Sequence, residues 1–163
     1  MTERDTGLDA FDLAILDVLG AEGRISVTEL AARVGLSKSP VQMRMKKLEA
    51  SGVITGYRAM VDPVRLRREH VTFVEIKLAD TREAALSEFN AAVCKVPEVE
   101  QCHLIAGNFD YLLKIRTSSM SEYRALLAAK VSVLPHVAQT STFVAMQSIK
   151  DVALAPPAEA APP

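Results

Sequence analysis

Leu8, Phe11, Ile15, Val18 and Leu19 recur with a helical period, interleaved with Asp9, Asp12 and Asp17. Gly20 and Gly23 are expected to end that helix. Ser26-Val27-Thr28-Glu29 has the spacing of a capping box, and Leu30, Ala31 and Val34 form the apolar side of a short second helix closed at Gly35. Ser37 or Ser39 then caps a third helix with Pro40 in its first turn. Its buried stripe is Val41, Met45 and Leu48, and Ser51-Gly52 stops it. Residues 53–61 are β-prone and read as a small wing strand, ended by Asp62-Pro63.

From Val71 the period changes to two, with Phe73, Glu75 and Lys77 alternating with Thr72, Val74, Ile76 and Leu78. Asp80 with Glu83 is a further capping pair, opening a helix that buries Leu86, Phe89, Ala92, Val93 and Val96. Val99–Ala106 and Tyr111–Thr117 form a hairpin across Gly107–Asp110. Ser119-Met120-Ser121-Glu122 caps a last helix with Tyr123, Leu126, Leu127 and Val131, closed at Pro135, before a final strand over 137–149. The fold class is therefore α+β: an N-terminal winged helix-turn-helix followed by a ferredoxin-like βαββαβ sandwich. The expected segments are a winged unit over 1–61, a hinge over 62–70, the sandwich over 71–150 and a disordered Ala/Pro tail over 151–163. A four-stranded sheet with both helices on one face leaves its other face bare, and that face, expected to be apolar, predicts a second copy as partner.

Charge sharpens this division. Residues 24–68 hold ten Lys/Arg against three Asp/Glu, a net of +7, while the rest hold nine against seventeen, a net of −8. A basic block within an acidic chain assigns the first module to a polyanion. No apolar run of membrane-spanning length occurs, and the polar N-terminus lacks a signal-like apolar core, so a cytoplasmic, nucleoid-associated location is expected. Cys94 and Cys102 are too few for a disulfide scaffold and read as buried, reduced thiols.

The third helix presents Ser37, Lys38, Ser39, Gln42, Met43, Arg44, Lys46 and Lys47, and Arg58 follows in the wing. Taken alone it is equally a DNA-reading helix or a solvated basic one. As a reader, Arg44 suits guanine O6/N7 and Gln42 suits adenine, whereas Lys38, Lys46, Lys47 and Arg58 suit phosphates. Arg44 has the alternative of a structural ion pair. Cys102 and His103 are adjacent on a strand and so point to opposite faces, while His70, His103 and His136 lack metal-ligand spacing. No catalytic residue, metal or cofactor is expected. A ligand-binding oligomerisation module without DNA binding is the alternative function.

Leu8-Asp9-Ala10-Phe11-Asp12-Leu13-Ala14-Ile15-Leu16, Gly23-Arg24-Ile25-Ser26, Val34-Gly35-Leu36-Ser37 and Pro40, Arg44, Leu48, Glu49 and Gly52 resemble the first module of the Lrp/AsnC (feast/famine) transcriptional regulators. Cys102-His103-Leu104-Ile105-Ala106-Gly107-Asn108-Phe109-Asp110-Tyr111 and Thr140-Ser141-Thr142 resemble that family's effector domain. The resemblance implies a regulator of amino-acid metabolism or transport that binds double-stranded DNA, as a homodimer assembling to a tetramer or octamer. It also implies an amino-acid effector held between C-terminal domains by Gly107, Asn108, Phe109, Asp110, Thr140 and Thr142. Asp110 would take the ligand's ammonium, while the loop amides and threonines would take its carboxylate. Asn108 stands where the family usually has an acid.

Overall fold

The computed structural model describes residues 7–151, and the chain divides into two compact units between Met60 and Val61. The tail expected beyond Asp151 lies outside the described residues.

The first unit holds α1 (Ala10–Ala21), α2 (Val27–Val34) and α3 (Lys38–Ala50) around Ile15, Leu30, Ala31, Val41 and Leu48. Asp9 and Asp12 cap the start of α1 reciprocally, each side chain accepting from the other's backbone N–H, at 2.9 and 3.2 Å. Gly20 lies within α1 instead of ending it. At α2 only half of the expected box forms. Ser26 accepts from Glu29 N–H at 3.1 Å, but Glu29 turns outward to Arg33, since i,i+4 pairing competes for its carboxylate. Gly35 closes α2 at φ 70°, and Leu36 N–H returns to Ala31 carbonyl. Residues 53–61, read from sequence as a wing strand, make no sheet ladder among the described residues. A lone β-prone stretch has no second strand in this unit to satisfy its backbone.

The second unit is a four-stranded antiparallel sheet of order β2-β3-β1-β4, made of β1 (His70–Leu78), β2 (Val99–Leu104), β3 (Tyr111–Thr117) and β4 (Val137–Val144). Helices α4 (Glu83–Val93) and α5 (Met120–Leu126) follow β1 and β3 in the split βαβ order. Val74, Ile76, Leu113 and Ile115 from the sheet pack with Phe89, Val93, Tyr123 and Leu126 from the helices. α5 continues into a π-helical turn over Leu127–Val131, which carries no sequence signal. Asp80 does not cap α4. Its carboxylate is taken by the Arg82 backbone N–H and guanidinium, and Arg82, the N-cap residue, makes no side-chain capping bond to the helix. Ser119 does cap α5, accepting from Glu122 N–H at 3.1 Å, while Glu122 accepts from Ser118.

The open face of the sheet departs from the apolar expectation. Phe73, Leu112 and Phe143 share it with Glu75, Lys77, Lys114 and Arg116, because alternation places every second residue there whatever its polarity. Lys114 and Arg116 are almost covered and paired with Glu100 and Asp151. Cys94 is exposed rather than buried, since it follows the last residue of α4; Cys102 is half-buried. Among the described residues no helix is long and apolar enough to cross a membrane.

Candidate functional site: a DNA-facing helix and an effector cleft

The turn between α2 and α3 is built by Gly35 and by Ser37, whose backbone is extended before α3 begins. Val41 and Leu48 anchor α3 to the core, which fixes the opposite side as its solvent face. On that face Ser37, Lys38, Ser39, Gln42, Met43, Lys46 and Lys47 are all exposed, and none has a side-chain hydrogen bond or ion pair among the described residues. Met43 is 69% exposed. Arg58 is also exposed and has no side-chain partner among the described residues, although the strand meant to carry it is not formed.

Arg44 differs from the rest of this set. Its Nη1 lies 2.6 Å from Asp12 and 2.7 Å from Asp9, and its guanidinium sits 5.5 Å from the centre of the Phe11 ring. The Asp12 side chain is only 2% exposed. Hydrogen bonds to Asp12 and then Asp9 raise the Arg44 pKa, and the Asp12 backbone followed by Arg44 holds the Asp9 carboxyl below its usual value. The ion-pair alternative thus describes Arg44: it ties α3 to the start of α1. The exposed cation Arg24, between α1 and α2, also has no side-chain partner among the described residues and was not among the candidate contacts.

In the second unit, the turn Gly107–Asp110 closes over the end of β1. Asp110 N–H donates to Ile76 carbonyl at 2.9 Å, and Asp110 Oδ2 accepts from Leu78 N–H at 2.7 Å, where β1 bulges between Lys77 and Leu78. The Asp110 carboxylate therefore pins the turn to the strand. Beside it lies a cleft of about 330 Å³ lined by Glu75, Lys77, Asn108, Phe109, Gln139 and Ser141. The register explains this lining, since Glu75 stands opposite Ser141 and Lys77 opposite Gln139. Thr140 and Thr142 stand opposite Ile76 and Val74, on the helix-covered face. The Thr142 hydroxyl is bonded there to Tyr123 at 2.6 Å. The predicted set is thus split: Asn108 and Phe109 line the cleft, Asp110 and Gly107 hold the turn beside it, and the two threonines face away. Glu75, Lys77, Gln139 and Ser141 were missed, although strand alternation placed the first two together on one face. A larger depression of about 600 Å³ over α5 and the π turn offers Arg124 as its one charge.

Residues 8–55 match a family model described as winged helix-turn-helix DNA-binding, and residues 71–154 match the Lrp/AsnC ligand binding domain. The proline dehydrogenase transcriptional activator of Rhizobium radiobacter is 56% identical over 147 residues, 90% of this chain and 94% of that protein. An AsnC family transcriptional regulator from Agrobacterium tumefaciens superposes with a TM-score of 0.83 at 31% identity, covering 88% of this chain and 94% of the other. The regulator NMB0573 from Neisseria meningitidis, solved as its L-Met complex, gives 0.82 at 30% identity, covering 88% and 93%. An unengaged polar face on a helix-turn-helix, joined to a split βαβ unit with a charged cleft, has the same two-part organisation as these relatives, which are transcriptional regulators. The chain belongs to the Lrp/AsnC family, as a DNA-binding transcriptional regulator with a C-terminal ligand-binding domain.

Proposed function

We propose that this regulator controls a gene of amino-acid catabolism, a proline dehydrogenase gene in the first instance, in response to an amino acid held by the C-terminal unit. The target follows the relative named a proline dehydrogenase transcriptional activator, and the effector class follows the neighbour bound to L-Met. Ser37, Ser39, Gln42 and Met43 meet base edges, whereas Lys38, Lys46, Lys47 and Arg58 meet phosphates. Arg44 positions the helix. Two copies joined through their second units, assembling further to a tetramer or octamer, present paired helices to a symmetric operator. The chain acts by binding in the cytoplasm and needs no cofactor besides its effector.

The single observation behind the DNA assignment is the row of unengaged polar and cationic side chains on α3, beside an arginine that is engaged. Mobility shifts on the DNA upstream of the proline dehydrogenase gene, measured across a salt series, test it. The slope of log affinity against log salt is about −0.9 per neutralised phosphate, so Lys47→Ala should reduce it by roughly one unit per half-site. Equal affinity for that DNA and for a scrambled duplex would overturn the target assignment.

A further inference from the structure

We propose that Met43 is the residue by which α3 recognises the 5-methyl group of a thymine in each half-site of the operator. This rests on the reading of α3 as the base-contacting helix, and it names the chemical group that the centre of that helix is built to meet.

Met43 is 69% exposed, the most exposed large apolar side chain of the first unit among the described residues. A lone exposed methionine is ordinary on a protein surface, and its position is what carries the assignment. It stands two positions after the buried Val41 and five before the buried Leu48. At about 3.6 residues per turn, that points it almost directly away from the core. Ser39 lies one turn before it, and Lys46 and Lys47 lie one turn after, all exposed and without a side-chain partner among the described residues. An apolar group thus occupies the middle of a face that is otherwise polar and cationic. The exposed aromatics of the same unit are engaged: Phe11 lies against the Arg44 guanidinium, and the Tyr57 hydroxyl is bonded to Glu49 at 2.8 Å. The other methionine of α3, Met45, packs against the core.

Lys38 before Met43 and Lys46 and Lys47 after it seat the helix on phosphates, which holds the middle of the face against the major groove. Most groups on base edges there are hydrogen-bond donors or acceptors, and the thymine 5-methyl is the apolar one. Met43 offers no donor and only the weak acceptor of its thioether. Its unbranched chain adapts to the place of a methyl group. The same chemistry rejects cytosine, which lacks the methyl and would leave its N4 amine covered by a sulfur that barely accepts. Arg44, the one arginine of α3, is held by Asp9 and Asp12, so no guanidinium competes for this central position. Discrimination at the centre of α3 therefore comes from an apolar contact.

Duplexes selected from a random pool by the full-length wild-type protein supply the operator. Each thymine of its half-sites is then replaced in turn by deoxyuridine, which removes only the methyl, and affinity is read by mobility shift. At one thymine per half-site the replacement should weaken the wild type roughly fourfold, the scale of one buried methyl group. Met43→Ala should bind the thymine and deoxyuridine duplexes alike, while Met43→Leu, still apolar, should keep the preference for thymine. Met43→Ala should melt at the wild-type temperature, since so exposed a side chain adds little to the core of its unit. If each deoxyuridine costs the wild type and Met43→Ala the same, or none costs the wild type anything, the assignment is overturned while α3 remains the reading helix. If no sequence is enriched from the pool, the reading of α3 as the base-contacting helix falls, and the assignment with it.

Discussion

Arg44 shows how one side chain can belong to a DNA-reading helix without reading DNA. Its guanidinium bridges Asp9 and the nearly buried Asp12. Removing it leaves the Asp12 carboxylate covered and short of a counter-charge. Arg44→Met should therefore destabilise the first unit, although less than breaking a fully buried pair would, because Arg44 itself is 27% exposed. The accompanying change Asp12→Leu should recover much of that loss, since it also removes the stranded charge. Melting of the N-terminal unit checks the stability. DNA binding gives the second readout: a positioning arginine lowers affinity for all operators alike, whereas a base contact changes which operator is preferred. The sequence places Asp9, Asp12 and Arg44 at the right helical positions, but a helical wheel does not say which neighbour a charged residue meets across 32 residues. Only packing α1 on α3 decides it.

At the scale of elements, what could be read was what short-range chemistry determines. Gly35 ends α2 in the left-handed region at φ 70°, where a side chain is disfavoured although nothing lies within 4 Å of an added Cβ. Gly35→Ala should therefore destabilise the first unit through backbone strain alone, by about 1 kcal/mol, and Gly35→Asn by less, because asparagine tolerates that conformation. Paired chemical denaturation of the two variants separates strain from lost packing; equal losses would contradict it. Helix starts at Ser26 and Ser119 were legible for the same local reason. The reciprocal half of each box was not, because Glu29 and Glu122 found other partners. Parity in β4 was hidden as well. Gln139, Thr140, Ser141 and Thr142 are all polar, so alternation gives no sign of which pair faces the cleft. The pairing of Glu75 with Ser141 settles it in favour of Gln139 and Ser141.

At the scale of the whole chain, the two units have separate cores, five buried residues in the first and thirteen in the second. Stability follows buried apolar area, so calorimetry should resolve two transitions, with the N-terminal unit melting first. A ligand that binds only the folded form of one unit raises that unit's transition, so operator DNA should raise the lower one and the amino-acid effector the upper one. Acid provides an independent check on the assignment. Arg82 beside Asp80 lowers its carboxyl from 3.8 to about 2, Lys130 lowers Glu98, and Ser118 lowers Glu122. These groups all belong to the second unit. A carboxyl whose pKa is depressed by folding contributes stability that is complete above its unfolded value and disappears as pH falls through its folded value. Between pH 3.8 and about 2 the folded Asp80 stays ionised while the unfolded chain takes up protons, so the Asp80 contribution is lost across that window. Among the described residues of the first unit, Asp9 alone is lowered in this way. The upper transition should consequently move down toward the lower one as the solution is acidified across that window. A gap that widens on acidification would mean that the upper transition does not belong to the effector unit.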